Sequence, residues 1–400
     1  MKLAIYEDAK FSNFYPLTYL HPVYDLRCGI FTLREKIEKY YGLKADTLFC
    51  HNYLSESLHE KNGEAVINPE SLENTLLLNG RVIVDKDFLN SVSLSGDEEV
   101  FTFNNEIAAV RIKSEMDIVD VSNLNIAKFK DFKKTEIEAN FVNYPWDLIR
   151  KNGSEIPKDS VFFKNNILGN IYEGVYLINR ENIYIGENST IKPGVVIDAE
   201  SGPVVIGKGV TVFPNAVIEG PCFIGDYSKI KIGAKIYENN SIGKHCKIGG
   251  EVEESIIHSY SNKQHDGFLG HSYLGQWVNL GADTNNSDLK NNYGNVKLTI
   301  NGKEIDSGLQ FVGLIMGDHS KSGINTMFNT GTVVGVSSNI FGSNFPPKVI
   351  PSFAWGGSDG FTEYQLDKAI QVAEKVTMRR DIKFTQTDKK LFEFIFNLTR

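Results

Sequence analysis

Five histidines, His245, His258, His265, His271 and His319, fall within one 75-residue stretch of the chain. Histidine titrates closest to neutral pH of all side chains, so one imidazole with a free face suits proton transfer to or from a substrate. Three converging imidazoles would instead suit zinc, although this spacing fits no zinc set well. Phosphate chemistry has its own candidates. The adjacent Arg379 and Arg380 could grip phosphates as bidentate donors, and Arg27, Arg34 and Lys36 could hold an anion near the N-terminus. Trp277 offers a ring to stack on an adenine or to pack against the C-terminal tail. His319 and Lys321, in GDHSKSGIN, could line a neighbouring site. The bland readings are a histidine at a surface corner, a solvated turn and a charged helix face.

The bulk composition narrows the setting. A chain of 400 residues, 41% of them hydrophobic, is long enough for two to three domains with buried cores. The formal net charge of -8 speaks against general nucleic-acid binding. Cys28, Cys50, Cys222 and Cys246 form no CxxC pair, which fits a reducing compartment. The N-terminus lacks an apolar signal region, and no apolar run reaches the roughly 18 residues of a membrane span. The expectation is a soluble cytoplasmic protein with small-molecule partners, no nucleic acid and no membrane.

The elements that must carry these residues show in a repeat. Ile206, Val212, Ile218, Ile224, Ile230, Ile236, Ile242 and Ile248 stand six apart. Small residues recur four places on, at Ser189, Val195, Val210, Ala216, Cys222, Ser228, Ala234 and Cys246. A period of six is neither helical nor a hairpin alternation. It suits a three-sided coil of short parallel strands, each sending one aliphatic residue inward, with small residues at crowded corners. The hexads return at Leu274 and Leu280, lapse over 286–314, and resume from Met316. The lapse, with NNYG and NGKE as turn signals, reads as an inserted hairpin-like excursion and a candidate functional loop.

Three regions are expected: an α/β domain over 1–165, a β-helix over 166–350 with the loop 286–314 inserted, and a helical tail over 351–400. In the tail, Thr362 and either Thr385 or Thr387 are plausible helix caps.

The stretch NKQHDGFLGHSYLGQWVNLGADT, continued through the excursion to GDHSKSGIN, resembles the acetyltransferase core of one known family. That family is the bifunctional N-acetylglucosamine-1-phosphate uridylyltransferase/glucosamine-1-phosphate N-acetyltransferases. The resemblance covers most of 165–400 and is nearest the archaeal and Bacteroidetes-type branch, whose helical tail also carries an Arg-Arg pair. It implies left-handed coils, an acetyl-CoA co-substrate and an amino-sugar phosphate or nucleotide-linked amino sugar as acceptor. It further implies a homotrimer with the donor groove between solenoids. It places the general base on His265. Two positions depart from the family: Phe268 stands for a tyrosine and Asp288 for an asparagine, which leaves Asp288 as an orienter or acceptor contact. Lys297, Lys290 and Lys235 are the sugar-phosphate candidates. Trp277, His319, Lys321, Arg379 and Arg380 are the donor-binding candidates. His271, six residues past His265, falls on the next face of the coil and is expected outside the same site.

FYPLTYLHPVYDLRCG and LLLNGR resemble a sugar-phosphate nucleotidyltransferase more faintly. The phosphate-cradling glycine loop is absent, Val23 stands for a lysine, and Arg81 stands for the metal-holding aspartate. Mg2+ is therefore expected only if this domain is active, and its nucleotidyl transfer is doubtful. The readings carried forward are an acyl-CoA-dependent N-acyltransferase, a nucleotidyltransferase, and a non-catalytic hexapeptide-repeat scaffold.

Overall fold

The computed structural model describes residues 1–118, 120–164 and 166–400. Residue 165, where the sequence suggests a division, lies outside the described residues. The N-terminal region is built on a seven-stranded sheet. Its order is Lys133–Glu136, Glu99–Phe103, Glu106–Ile112, Thr75–Asn79, Lys2–Tyr6, Thr47–Phe49 and Val66–Ile67. Lys2–Tyr6 pairs in parallel with both neighbours, while Glu106–Ile112 runs antiparallel to Thr75–Asn79. Near-continuous apolar runs such as Leu76, Leu77 and Leu78 are wholly buried, as expected of strands covered on both faces. The helix Leu33–Tyr41 starts at a capping box formed by Thr32 and Glu35.

A left-handed parallel β-helix follows, its strands lying on three faces. One face runs from Ile183–Ile185 through Cys222–Ile224 to Val349–Ile350, nine parallel strands in all. The second runs from Asn170–Ile171 to Asn262–Lys263, and the third from Tyr176–Ile178 to Phe268–Gly270. The hexad maps directly onto this plan. Val212 registers with Ile230 and Ile230 with Ile248 on one face, Ile218 with Ile236 on another, and Ile224 with Ile242 on the last. All are inward and buried. Burial of each aliphatic side chain is worth roughly 1.5–3 kcal/mol, but a coil closes its core only against its neighbours.

Strands Lys297–Ile300 and Lys303–Asp306 form an antiparallel hairpin turning at Asn301 and Gly302, both with positive φ. Leu298 and Ile300 are buried in the same core as the N-terminal sheet, and Asn301 Nδ2 donates to Ser12 O at 2.7 Å. The hairpin thus clasps the N-terminal region instead of projecting into solvent. Helix Pro145–Ser160 fastens the same junction, with Asn152 Nδ2 donating to Asn239 O at 2.7 Å.

The tail forms helices Leu366–Met378 and Gln386–Leu398. Thr385 caps the second in a capping box with Asp388. Thr362 caps nothing: it lies in strand Gly360–Glu363, paired with Ala354–Gly357. That hairpin ends the solenoid, and the first helix begins after Gln365. The tail packs on both other parts. Phe394 stacks on Tyr53 with centroids 4.7 Å apart, and Phe392 meets His319 edge-on at 5.0 Å. Among the described residues, no helix is long and apolar enough to cross a membrane.

Candidate active site

One cleft gathers four of the five donor-binding candidates. It encloses about 280 Å³ between the second solenoid face and the tail, and Trp277, Lys321, Arg379 and Arg380 line it together with Lys247 and Gln264. These residues come from a coil corner, successive strands and the end of helix Leu366–Met378. Arg380 Nη2 reaches Asn262 Oδ1 at 3.4 Å, and Asn262 Nδ2 reaches Asn279 Oδ1 at 3.3 Å. Burial, reinforced by the charges of Arg380, Lys229, Arg379 and Lys231, holds the Lys247 ammonium below its ordinary pKa. Such crowding of unlike-sign-free cations marks an anion-attracting cleft. Lys321 donates to His319 O at 2.7 Å, and burial lowers its amine to about 8.

Two donor-binding candidates take other roles. Trp277 belongs to a ladder along one coil corner, Tyr227, His245, Tyr260, Trp277 and His319, each at positive φ. Its ring stacks on Tyr260 at 4.3 Å and on His319 at 6.0 Å. With both faces covered it presents only an edge to the cleft, so the expected adenine platform is corrected to a ladder rung. His319 is buried under Phe392 and Phe384, and burial followed by the Lys321 charge lowers its imidazole to about 3. It packs the tail and does not reach into the cleft's lining.

His265 stands at the next corner, between Asn262–Lys263 and Phe268–Gly270, one residue from Gln264 of the cleft, and its side chain is exposed. Beneath it lies an unusual support. Lys263 registers with Ile248, so it points into the solenoid core, where it is 1% exposed. Its Nζ donates to His265 O at 2.7 Å, and burial lowers the amine to about 8.

Asp288 does not orient His265. Its Oδ2 lies 2.8 Å from His271 Nδ1, and the His271 ring stacks on Phe311 at 4.9 Å. The third corner therefore holds a second imidazole, oriented by a carboxylate and facing a separate cleft of about 350 Å³ with Glu254, Arg150 and Gln310. The sequence expectation that His271 stands apart from His265 corresponds to this different corner; as an orienter, Asp288 is corrected from His265 to His271. Phe268 and Asp288 do converge, since a side chain at Gly270 would collide with both.

The three lysines expected to bind sugar phosphate are engaged elsewhere. Lys235 pairs with Glu251 at 3.3 Å, Lys297 with Glu304 at 3.2 Å across the hairpin, and Lys290 donates to Asn295 O. Lys36 is fully buried, bound to Glu155 at 2.9 Å and Asp159 at 2.5 Å, and cannot meet an external anion. Among the described residues, no group of three or more His, Cys, Asp or Glu side chains is placed to hold a metal ion. Residues missed in the sequence are Lys247, Asn262, Gln264 and Asn279. Lys229 and Lys247 pair across adjacent coils exactly one 18-residue turn apart, a signal available in the sequence.

In the N-terminal sheet, Arg81 follows the strand Thr75–Asn79 and is fully buried. Its Nε donates to Asp8 Oδ1 at 2.9 Å, its Nη1 to Val142 O at 2.9 Å, and Glu106 completes the pairing. A fixed cation thus occupies the position expected of a metal-holding carboxylate.

Residues 3–166 match the family model of sugar nucleotidyl transferases. Over 341 residues the chain is 28% identical to the bifunctional sugar-1-phosphate nucleotidylyltransferase/acetyltransferase of Sulfurisphaera tokodaii, covering 85% of this chain and 73% of that one. It is 24% identical over 368 residues to the bifunctional protein GlmU of Bartonella quintana, covering 84% and 72%. With GlmU of Rippkaea orientalis the match is 28% over 182 residues, 39% of this chain and 35% of that one. Among solved structures, a UDP-N-acetylglucosamine acyltransferase of Francisella novicida aligns at 15% identity and a TM-score of 0.28, covering 59% and 91%. The sequence resemblance to bifunctional nucleotidyltransferase/acetyltransferases therefore extends over most of the chain.

Proposed function

We propose that the chain is an acyl-CoA-dependent N-acyltransferase, its acyl group acetyl and its acceptor an amino-sugar phosphate or nucleotide-linked amino sugar. The observation that carries the donor is the cleft where Lys247, Lys321, Arg379 and Arg380 converge from separate segments. Phosphates of a coenzyme A moiety match that excess of positive charge. Its edge at Gln264 adjoins His265.

The transfer needs a neutral amine held against the thioester carbonyl. His265 accepts the amine proton, the nitrogen–carbon bond forms, and the carbon–sulfur bond breaks to release the CoA thiolate. Backbone N–H groups at the coil corner would steady the oxyanion. A homotrimer would set the groove between adjacent solenoids, by analogy with the fold. A second reading takes His271 as the base, because the Asp288 carboxylate fixes its Nδ1 and leaves Nε2 for a substrate. Nucleotidyl transfer is disfavoured by the buried Arg81–Asp8 pair; no pyrophosphate release from UTP or dTTP with a sugar 1-phosphate is expected above background.

The test compares His265→Ala and His271→Ala in acetyl transfer to glucosamine 1-phosphate. His265→Ala should lose about 10²-fold or more in kcat, while His271→Ala retains most activity. The reverse pattern makes His271 the base. Failure of acetyl-CoA to raise the unfolding midpoint at millimolar concentration would reject the donor assignment.

A further inference from the structure

A second cleft lies where the N-terminal region, the solenoid and the tail meet, and it shares no wall with His265. Two connected lobes of about 290 and 310 Å³ share Leu20, His21, Lys61, Lys244, Tyr260 and Gln276. Each lobe is near the lower end of small-molecule pockets, roughly 300 Å³ upward. The first lobe holds polar atoms that the protein itself leaves unsatisfied. Arg27, 8% exposed, bonds Ile30 O through Nη1, but its Nε has no partner. His258, 5% exposed, donates from Nε2 to Asp25 O at 2.8 Å, which fixes the tautomer and leaves Nδ1 as an acceptor without a donor. A buried unmet polar group costs about 1–3 kcal/mol, and a ligand that satisfies it recovers that cost.

The charge balance selects the ligand. Every carboxylate facing the lobes lies within ion-pair or hydrogen-bond reach of a partner, although Asp25 Oδ1, beside Arg34, makes no hydrogen bond. Asp25 lies 2.9 Å from Arg34 Nε, Asp318 bonds His21, Glu35 caps its helix at Thr32, and Asp388 caps Thr385 with Lys61 at 3.5 Å. Arg27 and Lys244 make no ion pair among the described residues. Lys383, exposed in the second lobe, makes none either, so three cations remain: Arg27 buried at the back of the first lobe, Lys244 exposed where the lobes join, and Lys383 beyond it.

We infer that this junction binds a small phosphomonoester carrying hydroxyl groups, its phosphate between Arg27 and Lys244 and a hydroxyl donating to His258 Nδ1. The ligand would bridge the N-terminal region, which supplies Arg27, and the solenoid, which supplies His258 and Lys244. This occupant is independent of the acyl-transfer reading, because Arg27, Lys244 and His258 do not line the donor cleft and His265 stands at another corner, although Tyr260 and Trp277 border both clefts.

Isothermal titration of the full chain with glucose 6-phosphate tests it. Wild type should bind. Arg27→Gln should weaken binding at least about tenfold, as loss of a buried charged hydrogen bond does. Lys244→Gln, at an exposed position that leaves the fold intact, should weaken it about threefold. The double variant Arg379→Gln/Arg380→Gln should bind like wild type. No binding by wild type at millimolar concentration overturns the proposal, and so does equal affinity in Lys244→Gln. Loss in the double variant would move the anion to the donor cleft and overturn it too. Glucose binding as tightly as its phosphate would remove the phosphate from the assignment.

Discussion

The lysine beneath His265 occupies a position where the repeat calls for an aliphatic residue. Lys263 sits in register with Ile248, yet among the described residues its amine hydrogen-bonds only the His265 carbonyl. Burial favours the neutral amine, so its pKa falls to about 8. The folded state therefore binds fewer protons than the unfolded one between about pH 8 and the ordinary lysine range, and stability contributed here rises with pH through that window. Lys263→Met should be more stable than wild type near pH 7. Urea titrations should show that advantage shrinking by about 1.4 kcal/mol per pH unit above pH 8; a difference independent of pH would contradict the buried amine. The same substitution loosens the His265 corner, so kcat should fall while the KM for acetyl-CoA holds. Lys263 was visible in the sequence only as one more lysine, because its inward direction depends on the coil register.

At the scale of elements, the capping box of helix Gln386–Leu398 joins local sequence to the donor cleft. The helix holds Phe392 and Phe394 against the solenoid and the N-terminal region. Thr385→Ala removes the side chain that accepts from Asp388 N and should cost about 1 kcal/mol in thermal or urea unfolding. The donor cleft depends more on the preceding helix, whose C-terminal end carries Arg379 and Arg380. Arg379→Gln/Arg380→Gln should weaken acetyl-CoA binding at least about tenfold in titration calorimetry, the effect falling as salt rises. The aromatic ladder was partly legible: Tyr227 and His245 stand one 18-residue coil apart. Tyr260, Trp277 and His319 break that interval, because later coils shorten or carry the hairpin.

At the scale of the whole molecule, three parts separated in sequence share one hydrophobic core. Leu298 of the hairpin, Leu391 of the tail and Leu3 of the first strand belong to it. The apolar corners at Ile232 and Ile324 remain outside it, 67% and 70% exposed, and a trimer would cover such residues. Light scattering should give three times the monomer mass, and Ile232→Lys/Ile324→Lys should lower it; a wild-type monomer would remove the groove between solenoids from the proposed mechanism.

The sequence by itself determined the β-helix, since a strict period of six can bury its aliphatic residues only as a three-sided coil. It also singled out His265 and the motif around it as candidates, and it showed an arginine, Arg81, where the resembled family holds a metal-binding aspartate. Tertiary structure alone decided which side chains meet. Asp288 turned to His271 because both stand at one corner, Trp277 was covered by its neighbours in the ladder, and Arg379 met Lys247 across 132 residues of chain. Such meetings depend on how helices and loops dock on the solenoid, and docking is set by apolar surfaces that carry no register in the sequence.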